Sequence, residues 1–148
     1  MSQYLSFYLV NKKKPEIKVD LGYWCSYIAR GISWNFNDIF KYTSGSKEKL
    51  DIDTLKKNIK LLQDGIERYK SNLLKEQEKK KENIELLLRA QSQFAVESIK
   101  EEIKNNENSI NDWLEEIETW SDVENRLNFI LFIFEKNTTD WELTYSNY

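Results

Sequence analysis

The sequence contains no histidine and only one cysteine, Cys25. Without histidine it lacks the commonest general base, the Ser-His and Cys-His nucleophile pairs, and every imidazole metal ligand. One thiolate cannot complete a zinc or iron–sulfur site, and it cannot build an internal disulfide framework. The phosphate-binding glycine patterns GxxxxGK and GxGxxG do not occur either. These absences predict a protein that is not an enzyme and that uses no cofactor or metal.

Proline and glycine are also scarce, with one and four residues respectively among 148. Both residue types interrupt helices, so their scarcity favours long helices. A chain of this length usually forms one domain, and the 40% of apolar residues is sufficient for a hydrophobic core. We therefore expect a single domain over residues 1–148.

Long apolar segments are missing as well. The apolar run near the N-terminus precedes the positive charges of Lys12, Lys13 and Lys14, which is the reverse of a secretory signal. The longest apolar run near the C-terminus covers only residues 129–134, whereas a membrane-spanning helix needs about 20 apolar residues. The sequence predicts a cytoplasmic protein that does not bind membranes.

Charge is distributed unevenly along the chain. Residues 1–50 carry a net charge of +4, and residues 51–148 carry −7. Within residues 107–142, ten acidic side chains are opposed only by Arg126 and Lys136. A protein that binds duplex nucleic acid normally presents a clustered basic face. The acidic C-terminal third therefore argues against nucleic-acid binding, although it would suit a basic protein partner.

The N-terminal segment predicts a β-hairpin. Residues 4–10 form a run rich in aromatic residues, and Ile17, Val19 and Leu21 alternate with polar residues, so each segment is expected to be a strand. Turn-forming residues lie between them. The aromatic segment 22–43 predicts loop and short helix, with residues 34–42 as the better helix candidate. Within it, Cys25 next to Trp24 is expected to be a buried, unreactive thiol.

The apolar positions of residues 51–120 form two seams with spacings of three and four residues. The first seam comprises Ile52, Leu55, Ile59, Leu62, Ile66, Tyr69 and Leu73. The second seam comprises Ile99, Ile103, Asn106, Ile110, Trp113, Ile117 and Trp120. Such seams are typical of coiled-coil packing, in which a buried Asn fixes the register at some cost in stability. Two antiparallel helices that bury each other's seams are therefore expected.

Capping residues indicate where these helices begin. Asp51 or Asp53 can cap the first helix, and Ser92 can cap the second if the turn lies at residues 90–93. The polar run 77–83 is the alternative turn. Residues 121–124 match the capping-box pattern, which predicts a third helix running to about Lys136 and buried on nearly all sides. In the tail, Trp141, Leu143 and Tyr145 alternate with polar residues, which predicts a final strand or a docked extended segment.

The predicted fold is therefore mainly α within the α+β class. It consists of a long antiparallel helical hairpin (51–120), a third C-terminal helix with a tail (121–148), and a small N-terminal β-hairpin with the aromatic segment (1–46).

Two sets of side chains are candidate binding residues. A protein partner would contact the exposed part of the second seam and its acidic neighbours, namely Ile110, Trp113, Trp120, Glu115, Glu116 and Glu118. A small anionic or planar ligand would contact an arginine among aromatic residues, namely Arg30 with Tyr23, Trp24, Tyr27 and Trp34. The alternatives are core packing for the aromatic side chains and a solvated helix face for the carboxylates.

The two ends of the chain resemble those of a group of viral proteins. The opening MSQYLSFYLV, together with residues 127–130 and 141–145, is similar to small uncharacterised proteins of phages and prophages, in which a YLxFYLV-type strand precedes a charged helical hairpin. The resemblance implies a phage or prophage origin and a location in the host cytoplasm. It also implies a role in modulating or inhibiting a host process.

We therefore expect a non-enzymatic protein–protein interaction module whose protein partner is not identified by the sequence. A homo-oligomer is one of the assemblies that the two seams allow. Two alternatives remain open, namely an acidic mimic of nucleic acid formed by residues 107–142 and a nucleotide binder formed around Arg30.

Overall fold

A computed structural model describes residues 3–24, 26–36 and 39–148, with the side chains of residues 26, 33 and 34 excepted. Cys25 and the side chain of Trp34, both considered above, lie outside this description. The described residues form three helices and four strands in the order β1 (Leu5–Asn11), β2 (Lys18–Trp24), α1 (Ser26–Asn35), β3 (Glu48–Leu50), α2 (Ile52–Arg89), α3 (Gln93–Glu135) and β4 (Trp141–Asn147). The predicted α+β class with a helical hairpin is confirmed.

The four strands form one antiparallel sheet in the order β2-β1-β4-β3. The predicted β1–β2 hairpin is confirmed, and the tail forms a full strand. β4 pairs along the whole of β1, from Leu5 opposite Asn147 to Asn11 opposite Trp141. The strands nearest the two chain ends therefore form the centre of the sheet.

A β-bulge interrupts the pairing of β1 with β2. Phe7 lies opposite Gly22 and Tyr8 lies opposite Asp20, so Leu21 is an extra residue. Gly22 has a φ of +117°, which side-chain-bearing residues rarely adopt, and its N–H donates to Asp20 Oδ1 over 2.7 Å. The bulge therefore depends on a glycine and an aspartate that are two residues apart.

The helix predicted at residues 34–42 is wrong, because α1 ends at Asn35. The buried side chains of Ala29, Ile32 and Phe36 follow helical spacing and fix the helix earlier in the segment. Phe40 has a φ of 50°, which a right-handed helix does not allow. Burial of one face of α1 therefore outweighed the aromatic pattern of the following residues.

The chain divides into two compact units. Each of the helices α2 and α3 contributes residues to both units. Unit 1 contains residues 1–65 and 123–148, and unit 2 contains residues 66–122. The sequence gives unit 1 thirteen basic and eleven acidic residues, a net charge of +2. Unit 2 has nine basic and fourteen acidic residues, a net charge of −5. The excess of acid is thus confined to unit 2.

The core of unit 1 is built around the inner face of the sheet. The ring of Phe7 lies 5.0 Å from the ring of Phe40 and 5.5 Å from that of Trp24, both edge-on. The parts of α2 and α3 that belong to unit 1 add Leu55, Ile59, Val123, Leu127 and Ile130 to its buried apolar residues. At the start of α2, the N–H of Thr54 donates to Asp51 Oδ1 over 2.7 Å, as the predicted cap requires.

The helix break predicted at residues 121–124 is wrong, because α3 continues through them to Glu135. No Gly or Pro occurs within α3, and Val123, Leu127 and Ile130 keep the helical spacing of buried residues. A capping pattern alone does not end a helix whose apolar stripe continues. The expectation that this stretch is buried all round is also wrong, since Phe129 and Phe132 are more than half exposed.

Unit 2 is a helical hairpin with its turn at residues 90–92, as predicted. The N–H of Ala95 donates to Ser92 Oγ over 3.1 Å, which confirms the predicted cap. Asn106 is buried in the seam, accepts a hydrogen bond from Asn83 Nδ2 (2.8 Å), and donates one to Glu76 Oε2 (3.2 Å). A polar layer therefore replaces one apolar layer of the seam.

Within the described residues, no helix combines the length and apolar character needed to cross a membrane.

Candidate interaction surfaces

The turn of unit 2 displays a group of large apolar side chains, here called the tip patch. Its members are Ile84 and Leu88, which share one stripe of α2, and Phe94 at the start of α3. Leu88 is 83% exposed and Phe94 is 84% exposed, on the two sides of the turn. Clustered apolar side chains on a surface typically mark a site of protein–protein contact. The tip patch is therefore the strongest candidate docking surface among the described residues of unit 2.

The tip patch arises because the hairpin end has more apolar residues than one seam can bury. Leu87 occupies a half-buried position, whereas its neighbours Leu86 and Leu88 lie on the exposed surface. Ile84 and Leu88 are one helical turn apart and share a stripe on α2. The run of three leucines at 86–88 was the sequence signal for exposed apolar side chains here, because three consecutive residues of a helix cannot all face one seam.

The structure places the aromatic members of the predicted partner set inside unit 2. Trp120 is buried, and its Nε1 donates to Glu116 Oε2 over 2.7 Å. The half-buried ring of Trp113 lies 5.2 Å from the ring of Tyr69. Burial raises the pKa of the Tyr69 hydroxyl, and the negative charge of Glu116 raises that pKa further. These two tryptophans therefore pack the hairpin, and Ile110 in the same seam is half-buried.

The acidic members of that set lie on a strongly acidic stretch of α3. Residues 105–122 contain six acidic residues and no basic residue. Glu115 and Glu118 are exposed, whereas Glu116 is half-buried beside Trp120. At the start of this stretch, Lys80 Nζ lies 3.3 Å from Glu107 Oε1. An acidic stripe that includes Glu115 and Glu118 is therefore open to solvent.

The predicted ligand-binding set is divided between different surfaces of unit 1. Tyr23 and Trp24 are neighbours in β2, so their side chains lie on opposite faces of the sheet. Trp24 is buried in the core, and Tyr23 is exposed. Tyr27 and Arg30 are exposed on α1. Tyr23 and Trp24 therefore cannot contact one small ligand together.

A cation does stack on Trp24, but it comes from Arg126. The guanidinium carbon of Arg126 lies 4.4 Å from the Trp24 ring centroid. Arginine stacked on an aromatic face is a stabilising cation–π pair. The two residues are about a hundred positions apart in the sequence, so spacing along the chain gave no signal for this pair.

A groove of about 450 Å³ lies beside the start of α2 in unit 1. Its apolar lining includes Leu50, Ile52, Phe134, Trp141 and Leu143. Its charged groups bond to neighbours: Lys49 Nζ lies 3.3 Å from Glu142 Oε1, and Lys12 Nζ donates to the carbonyl of Thr138 over 2.7 Å. The polar groups of this groove thus mostly make contacts within the protein itself.

Among the described residues, no group of three or more acidic or cysteine side chains is arranged to hold a metal ion. Comparison with known proteins finds no matching family model, no matching curated protein and no matching solved structure. The resemblance to phage and prophage proteins therefore stays a prediction.

Proposed function

We propose that this chain is a non-enzymatic protein-binding module whose docking surface is the tip patch. The observation that carries the proposal is the exposure of Leu88 and Phe94 on the two sides of the turn. Large side chains of this kind are the anchors that typically fill pockets on a partner protein, because their burial removes apolar surface from water.

The surroundings of the tip patch support a docking role. Exposed polar side chains border it, namely Glu85, Arg89, Gln91, Ser92 and Gln93. An apolar centre with a polar rim is the usual composition of a protein interface. Below the rim, Asn106 bonds to both Asn83 and Glu76 and so fixes the register of the two helices that carry the patch.

The charge around the tip patch defines the chemistry of its partner. Residues 82–97 contain three acidic side chains and one basic side chain, Arg89. A partner with an apolar cleft and a basic rim would be complementary to this surface. Two copies of the same tip would bring rims of like charge together, so we propose a different protein as the partner. Following the resemblance to phage proteins, that partner would be a host protein whose activity the binding modulates or inhibits.

The test is a quantitative capture experiment with three forms of the tagged protein in cells that carry its gene. The tip variant combines Leu88→Glu with Phe94→Glu. The matched control is Leu74→Glu, since Leu74 is also in unit 2 and is 64% exposed but lies away from the turn. We expect a protein that the wild type and the control retain equally and that the tip variant loses at least tenfold. Equal retention by all three forms would contradict the proposal.

The acidic stripe of α3 supports a second candidate function, namely mimicry of nucleic acid at a basic groove of another protein. Such binding should weaken steeply with salt, whereas docking by apolar anchors should not. Glu115→Gln combined with Glu118→Gln removes two exposed charges and leaves the Glu116–Trp120 hydrogen bond in place. Loss of capture by this variant, with retention by the tip variant, would favour mimicry over docking through the tip.

A further inference from the structure

A small pocket lies on the outer face of the sheet in unit 1, and tyrosine rings form most of its wall. The described residues that line it are Tyr4, Ser6, Tyr8, Asp20, Tyr23 and Tyr148. The rings of Tyr4 and Tyr23 have centroids 6.2 Å apart at an angle of 62°, and those of Tyr4 and Tyr148 are 6.2 Å apart at 47°. The Tyr4 ring is therefore inclined to both of the other rings and stacks flat on neither.

The β-bulge in β2 places the carboxylate of Asp20 beside these rings. Residues three apart in a regular strand point to opposite faces of a sheet, so Asp20 and Tyr23 would normally be separated. The extra residue Leu21 shifts the alternation by one, and Tyr8 and Ser6 of β1 then lie opposite Asp20 and Tyr23 respectively. Asp20 carries the only charged side chain among the described residues that line the pocket.

This face of the sheet already holds a cation over a tyrosine ring. Lys47 Nζ lies 4.7 Å from the centroid of the Tyr8 ring, within the range in which the negative face of a ring attracts a cation. Tyr8 is thus occupied by a cation of the protein itself, and Tyr4, Tyr23 and Tyr148 remain as the rings that border the pocket.

We propose that this pocket binds the alkylated ammonium group of a ligand, with Tyr4, Tyr23 and Tyr148 as an aromatic cage and Asp20 as the opposite charge. A methylated ammonium suits the pocket better than a bare one, because its methyl groups contact ring faces and it needs few hydrogen-bond acceptors. The pocket has a volume of about 220 Å³, which is room for a trimethylammonium group.

The first test compares choline with 3,3-dimethyl-1-butanol, its neutral isostere, in titrations followed by NMR. The methyl protons of a ligand inside the cage should shift upfield under the ring currents, and the shift should saturate. We expect choline to bind at least fivefold more tightly than the isostere, because a cation–π contact contributes about that factor. Equal binding of the two compounds would overturn the proposal.

Variants of the pocket provide the second test. Tyr23→Ala removes one wall and should weaken choline binding by about fivefold. Asp20→Asn removes the charge but keeps the oxygen that accepts the Gly22 N–H bond, and a similar loss is expected. Tyr42→Ala is the matched control, since Tyr42 is about as exposed as Tyr23 but does not line the pocket. If the control weakens binding as much as Tyr23→Ala does, the proposal is wrong.

The source of the ammonium group is determined by three probes, namely free choline, a peptide containing trimethyllysine, and phosphatidylcholine vesicles. Binding of any probe that Tyr23→Ala reduces and Tyr42→Ala leaves unchanged supports the cage and identifies the source. Failure of all three probes to bind, with the wild type folded by circular dichroism, would overturn it. This outcome would not affect the proposed function, because the tip patch lies in unit 2.

Discussion

Two threonines of unit 1 are equally buried but differ in their hydrogen bonds. Thr43 is 8% exposed, and its hydroxyl donates to the carbonyl of Asn147 and accepts from the N–H of Asn147. Thr144 is 7% exposed, and its hydroxyl has no partner among the described residues. Thr144→Val should therefore raise the free energy of unfolding by about 1 kcal/mol, whereas Thr43→Val should lower it by about 1–3 kcal/mol. Urea denaturation measures both, and equal destabilisation by the two variants would contradict the assignment.

Asp51 provides a pH-dependent contribution to stability. Its pKa is lowered from the ordinary value of 3.8, first by the hydrogen bond from the Thr54 N–H and then by that from the Thr54 hydroxyl. Because the folded pKa lies below the unfolded one, the carboxylate stabilises the fold above the unfolded value, and this stabilisation is lost as the pH falls through the folded pKa. Asp51→Asn should lower the melting temperature at pH 7 and match the wild type at pH 2. A constant difference at both pH values would contradict this account.

The roles of residues that depend on near neighbours in the chain could be predicted from the sequence. The caps at Asp51 and Ser92 depend on neighbours within three positions, and both are present. Asn106 was expected in the seam because its position continues the spacing of three and four. In contrast, the stacking of Arg126 on Trp24 depends on the topology of the whole of unit 1. The tyrosine pocket also lay beyond prediction, because it needs Tyr148 beside Tyr4 and a bulge that no spacing reveals.

At the scale of elements, the polar layer of the hairpin sets its register. Asn106→Leu should leave the free energy of unfolding within about 1 kcal/mol of the wild type, because the gain from burying leucine offsets the lost hydrogen bonds to Asn83 and Glu76. The seam then loses the polar layer that Asn106 forms with Asn83 and Glu76, so additional oligomeric species are expected in light scattering after size-exclusion chromatography. Asn105→Leu, at an exposed neighbouring position, is the control. An unchanged mass distribution in Asn106→Leu would contradict the register role.

The element boundaries show which sequence signals dominate. The two seams predicted the hairpin correctly, because a sustained apolar stripe requires a partner surface. The same stripe continues through residues 121–124, which is why the capping pattern there did not begin a new helix. In the aromatic segment, only the buried positions of α1 determined where the helix lies, and burial cannot be read from aromatic content alone.

At the scale of the molecule, the fold class followed from the sequence, but the assembly of the sheet did not. Nothing in the local pattern predicts that β4 pairs with β1, because that contact joins residues about 140 positions apart. The different net charges of the two units could not be predicted either, because unit 1 combines residues from both ends of the chain. The acidic character noted for the C-terminal third therefore belongs mainly to unit 2, where the tip patch and the acidic stripe both lie.

Photo-crosslinking in cells tests whether the tip patch docks a partner protein. p-Benzoylphenylalanine is introduced in place of Phe94, or in place of Phe129 as the control, since Phe129 is also exposed (62%) but belongs to unit 1. We expect a discrete adduct with another protein from position 94 and none from position 129. Equal adducts from both positions, an adduct from position 129 alone, or an adduct from position 94 only to a second copy of the chain would contradict it.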